Sequence, residues 1–91
     1  MPNKYTVQLS EKAKKDLKKL DIYQAKIIIA WLRKNIEGCE NPRIHGKALG
    51  HDRKGEWRYR VGVYRIIADI QDNIVTVKII NIGHRRNIYD S

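Results

Sequence analysis

The chain holds a single cysteine, Cys39, so no internal disulfide can form. That usage fits a reducing compartment, with Cys39 simply tolerated. Long apolar runs are also missing. The longest, "IIIAWL" from Ile27 to Leu32, covers six residues, far short of a bilayer span. The opening "MPNKYTVQLSEK" lacks the hydrophobic centre of a signal peptide. A soluble, cytoplasmic protein is therefore expected. Repeats, low-complexity tracts and linkers are absent as well, which predicts one domain over residues 1–91. Around His45 and His51, six residues apart, no cysteine or carboxylate pattern marks a metal site. No cofactor-binding motif is found either.

What remains is a small, strongly basic chain. A composition of 42% hydrophobic and 32% charged residues favours a folded domain over disorder. At 91 residues, roughly 60–65% of the unfolded surface becomes buried, which leaves a thin core. Nineteen Lys and Arg against ten Asp and Glu give a net charge of +9. A field of that sign attracts polyanions, phosphate backbones first among them. An acidic protein partner would be drawn to it as well, and a merely well-solvated surface is the plain alternative.

Pattern predicts an α+β fold: an N-terminal strand, a helical hairpin, then a three-stranded antiparallel meander with the helices on one face. "KYTVQL" alternates as a strand does. Ser10 is placed to cap a helix whose Ala13, Leu17 and Leu20 share a face. Asp21 and Gln24 resemble a capping box for a second helix. Its Ile22, Ala25, Ile29, Leu32 and Ile36 form a stripe, and Gly38 stands where a C-terminal cap belongs. "GCENPRIHGKALGHDRKG" reads as an irregular polar loop. "EWRYRV", "VYRIIADIQ" and "NIVTVKIINI" follow with short connections at Gly62 and "QDN", hence antiparallel neighbours. The last is nearly all apolar and is expected to be central and covered on both faces.

Period-two alternation sorts the side chains. Trp57, Tyr59 and Val61 face one way, and Glu56, Arg58 and Arg60 the other. Tyr64, Ile66, Ala68 and Ile70 share a face, with Arg65 opposite. With the apolar sets packed on the helices, Arg58, Arg60 and Arg65 converge on the open face of the sheet. The tail "GHRRNIY" is expected to bring His84, Arg85, Arg86 and Tyr89 there too. Arginine offers a permanently charged fork for phosphate, tyrosine a stacking surface for an unpaired base, and histidine a proton carrier near neutral pH. Together they outline metal-free RNA cleavage, in which the ribose 2′-hydroxyl is the nucleophile and cations stabilise a five-coordinate phosphorus. The carboxylates are scattered, which disfavours a two-metal nuclease.

"WRYRVGVYRIIADI", followed by "INIGHRRNIY", resembles the RelE-type toxins of the RelE/ParE toxin–antitoxin superfamily. "NPRIHGKAL" is similar to the family's Pro-containing loop. The resemblance implies an α+β toxin that enters the ribosomal A site and cleaves mRNA, inhibited by a small antitoxin within a hetero-oligomer. It carries the family's basic positions onto Arg58, Arg60, Arg65 and Arg85, and its terminal tyrosine onto Tyr89. Two of those positions are often lysine in the family, and arginine does not surrender a proton. Proton transfer is therefore assigned to His84, with Glu56 second. Lys12, Lys15, Lys19, Lys47 and Arg86 are candidate contacts to RNA and ribosome; the helix lysines fit a solvated face equally well. The chain ends two residues after Tyr89, so the C-terminal helix of some members is not expected. Two rivals stand beside this reading: a ParE-like protein that poisons DNA gyrase without nuclease activity, and an RNA-binding module without catalysis.

Overall fold

Ser10 ends the first strand and starts the first helix. Its Oγ accepts from the Ala13 amide at 3.0 Å, so β1 (Thr6–Leu9) passes directly into α1 (Glu11–Lys19). A computed structural model describes residues 4–48 and 56–84. After α1 come α2 (Ile22–Asn35), β2 (Lys47–Ala48), β3 (Glu56–Val61), β4 (Tyr64–Gln71), a 3₁₀ turn (Asp72–Ile74) and β5 (Thr76–His84). The strands form one five-stranded sheet in the order β1-β5-β4-β3-β2.

The α+β class and the meander agree with expectation, and three details differ. The N-terminal strand joins the meander's own sheet, parallel to β5, with Thr6 opposite Thr76 and Leu9 opposite Ile79. The loop expected to be irregular contributes the two-residue strand β2, which pairs with β3. Asp21 precedes α2, but its side chain makes no capping hydrogen bond, so the proposed box does not form.

The buried stripe of α2 is Ile28, Leu32 and Ile36, while Ile22 is 68% exposed. The helix is apolar on more than one side, so the spacing of its residues fits two stripes, and packing against the sheet selects one. With Ala13 of α1, that stripe covers Tyr59, Val61, Ile66, Ala68, Ile70, Val77, Ile79 and Ile82 in a single core. β5 is an interior strand between β1 and β4, with β4 at the centre of the sheet, and Lys78 is exposed, so the second face of β5 is not fully covered.

A β-bulge interrupts the β4–β5 ladder. Ile67 lies opposite Asn81 and Ala68 opposite Ile79, leaving Ile80 as the extra residue. Helix α1 supplies the missing partners. Ser10 Oγ donates to the Ile80 carbonyl at 2.9 Å, and the Ile82 amide donates to Asp16 Oδ2 at 2.9 Å. Asp16 is 8% exposed and also accepts from Lys12 Nζ at 3.1 Å. Asp16→Ala would leave a buried amide and an ammonium without their acceptor. We expect it to cost about 2–3 kcal/mol, measured by urea unfolding.

Candidate functional site

Strand pairing brings four cations together. Arg60 lies opposite Arg65 across β3–β4, and Lys47 opposite Arg58 across β2–β3. Directly opposed residues share a face, and Arg58 and Arg60 are two apart. Tyr59 and Val61, the alternating set, are buried against the helices. Lys47, Arg58, Arg60 and Arg65 therefore stand on the sheet face away from the helices. They line a cleft of about 560 Å³ whose far wall is Trp31, Ile44, His45 and Gly46. Arg60 and Lys47 are exposed, Arg58 and Arg65 half-buried. Guanidinium groups cannot lose their protons, so the cleft keeps its positive charge at any physiological pH. Preformed cations of this kind stabilise a phosphate that gains charge in a transition state.

The wall opposite the arginines is a short loop fixed from several sides. Buried Pro42 accepts a 2.6 Å hydrogen bond from the Tyr59 hydroxyl, and burial pushes that phenol's pKa up. Trp57 Nε1 donates to the His45 carbonyl at 2.5 Å, which holds the loop against β3. Trp57 is half-buried rather than a core residue, and Arg43 lies 6.0 Å from its ring centre. Arg43 also forks onto Asp72 at 3.1 and 2.9 Å, and the Tyr5 hydroxyl donates to Asp72 at 2.6 Å. Arg43 first, then Tyr5, hold the Asp72 carboxyl below the usual carboxylate range. This anchor stabilises the fold above that range and weakens as acid protonates Asp72. Inside the loop, the His45 ring meets Trp31 edge-on, centroids 5.6 Å apart. His45 had been considered only as a metal ligand. Nothing in the order of residues places it beside the arginines; the wrap of the loop does.

His84 goes elsewhere. Its partner across β4 is Tyr64, and their rings meet edge-on at 5.8 Å. Tyr64 is on the opposite face from Arg65, so the expectation that His84 joins the arginines is corrected. The cause is the bulge: if Ile80 were paired like its neighbours, alternation from Val77 and Ile79 would turn His84 toward the arginines. His84 instead borders a hollow of about 380 Å³ with Tyr64, Lys12 and Lys19. Of the helix lysines, Lys12 is engaged by Asp16 and by Asn81 Oδ1 at 2.9 Å, and Lys15 and Lys19 are exposed. Glu56 shares the parity of Arg58 and Arg60 and is half-buried opposite Asp69. Burial raises the pKa of the Cys39 thiol, which disfavours the reactive thiolate. Arg85, Arg86, Tyr89 and His51 lie outside the described residues. Among the described residues, no three His, Cys, Asp or Glu side chains gather in a metal-binding group, and no helix is long and apolar enough to cross a membrane.

Comparison with known proteins agrees with this architecture. The family model described as the ParE toxin of the type II toxin–antitoxin system parDE matches residues 7–89. Toxin RelG of Mycobacterium tuberculosis is 31% identical over 85 residues, covering 93% of this chain and 95% of that protein. Among solved structures, a chain of the RelBE2 toxin–antitoxin complex from Mycobacterium tuberculosis superposes with a TM-score of 0.80 at 28% identity, over 92% of this chain and 94% of that one. The isolated RelE toxin of E. coli shares the fold, with a TM-score of 0.71 at 24% identity over 88% and 83% of the two chains.

Proposed function

The chain belongs to the ParE toxin family of type II toxin–antitoxin systems and is a toxin of the RelE type, and from that premise we propose that it is a ribosome-dependent endoribonuclease that cleaves mRNA in the A site. The observation that carries the reading is the register that sets Arg60 against Arg65 and Lys47 against Arg58 in one cleft. In the proposed reaction, Arg58, Arg60 and Arg65 grip the scissile phosphate while the ribose 2′-oxygen attacks phosphorus. They stabilise the additional negative charge of the five-coordinate state, which is where catalysis gains most. The chemistry needs no metal, because the nucleophile belongs to the substrate. Arg85 and Tyr89 keep the roles proposed for them from the family resemblance, a further phosphate contact and a base platform. Lys15, Lys19 and Arg86 are proposed as contacts to RNA and ribosome.

A cognate antitoxin is proposed as the protein partner, as in the relatives solved as complexes. The groove between α1 and α2 suits it. That groove, about 710 Å³, has an apolar floor of Leu17, Ala25, Ile29 and Ala30, with Lys18, Lys26, Arg33 and Lys34 around it. An amphipathic segment with acidic flanks complements both features.

The name of the matching family model favours a second reading, poisoning of DNA gyrase through protein contacts. Induced expression in a bacterial host separates the two when 5′ ends are mapped on translated and untranslated copies of one message. Growth arrest with new cuts confined to the translated copy supports the nuclease. Arrest without cuts, accompanied by DNA-damage signalling, supports the gyrase target.

A further inference from the structure

Among the described residues, three arginines and one lysine line the cleft, and guanidinium groups do not exchange protons near neutral pH. Cleavage through the 2′-oxygen nevertheless requires a proton to leave it. Histidine is the residue type whose charge changes near neutral pH, and His45 is the histidine on the cleft wall. Its segment is held from several sides. The Trp57 indole holds its carbonyl at 2.5 Å, the Trp31 ring stands edge-on to its imidazole at 5.6 Å, and Lys47, two residues on, is bridged to Arg58. Gly46 between them passes so close to β3 that a side chain there would overlap the Arg58 carbonyl. His45 is thus carried, half-buried, on a fixed loop that lines the same cleft as the cations. Among the described residues, the charged groups lining the same cleft are Lys47 from β2, Arg58 and Arg60 from β3, and Arg65 from β4, while α2 contributes the uncharged Trp31.

We propose that His45 is the proton acceptor of this site, a role built on the nuclease reading. The neutral imidazole takes the 2′-hydroxyl proton as the 2′-oxygen bonds to phosphorus. The bond from phosphorus to the 5′-oxygen breaks, and that oxygen takes a proton from water. The products are a 2′,3′-cyclic phosphate and a 5′-hydroxyl, and the imidazolium returns its proton to the hydroxide left by that water. No oxidant, metal or other co-reactant enters the balance.

The test is single-turnover cleavage of mRNA on programmed ribosomes by wild type, His45→Gln and His45→Ala, across about pH 5.5 to 9. Wild type should show a limb that rises with pH. His45→Gln should be slower by about 100-fold or more and lose that limb, with an unchanged melting temperature. Added imidazole should restore part of the His45→Ala rate, which a packing role would not allow. A His45→Gln rate within about threefold of wild type, or a loss equal at every pH and untouched by imidazole, overturns the assignment and leaves the nuclease reading standing. Unfolding of both variants would make His45 a packing residue and overturn it too. If wild type cuts nothing on the ribosome, the nuclease reading itself falls, and this inference with it.

Discussion

Arg65→Ala is expected to slow mRNA cleavage by roughly 10²–10³-fold while changing folding stability by no more than about 1 kcal/mol. The asymmetry follows from its position. Arg65 stands on the sheet face away from the core, opposite Arg60 and beside the cleft, so its loss removes charge from the reaction centre and little from the packing. Arg65→Lys keeps the charge but loses the planar fork, and an intermediate rate is expected. Cleavage on programmed ribosomes and thermal unfolding, measured on the same preparations, decide it. Unfolding of the alanine variant would mean that the arginine face has been misassigned.

Gly46→Ala should fail in the fold and the site together. Gly46 has φ +81°, and a Cβ there would overlap the Arg58 carbonyl and stand 2.8 Å from Trp57 Nε1. The left-handed backbone alone costs alanine about 1–2 kcal/mol. Backbone overlap adds more, because the carbonyl cannot move without breaking the β2–β3 bridge. A total of about 3 kcal/mol or more is expected, with loss of cleavage as His45 and Lys47 are pushed off β3. Gly62→Ala is the control. Gly62 has φ +61° in the two-residue turn between β3 and β4, yet nothing lies within 4 Å of its would-be Cβ. That variant should lose only the backbone share, about 1 kcal/mol, and keep its activity. Urea unfolding of both glycine variants separates the two contributions; equal losses would refute the close approach at Gly46.

Alternation made the arginine face legible before any coordinates. Trp57-Arg58-Tyr59-Arg60-Val61 can bury its apolar members in only one way, and the two-residue turn fixes Arg60 against Arg65. Ser10 was equally plain, since a hydroxyl before a lysine-rich amphipathic run has one obvious use. Helix α2 was half legible: Leu32 and Ile36 were found, whereas Ile22 was placed inward although the buried residue is Ile28. His84 is grouped with the arginines only through the tail "GHRRNIY", whose register the sequence leaves open, and the bulge settles it the other way. A trace of the bulge is in the chain, where the polar positions Lys78 and Asn81 are three apart instead of two. The approach of His45 to the arginines was not legible, because it depends on Tyr59, Trp57 and Asp72 tying down a loop from distant parts of the chain.

The extra residue at Ile80 has a genetic corollary. Deleting its codon would remove the bulge and restore strict alternation while leaving Ile82 and His84 on their present faces, because Ile67 already lies opposite Asn81 and Ala68 opposite Ile79. A one-codon deletion at a regularly paired position of the strand would instead turn over the side chains that follow it. Relatives shorter by one residue in this strand should therefore be aligned with the gap at Ile80, because a gap placed elsewhere would equate residues on opposite surfaces.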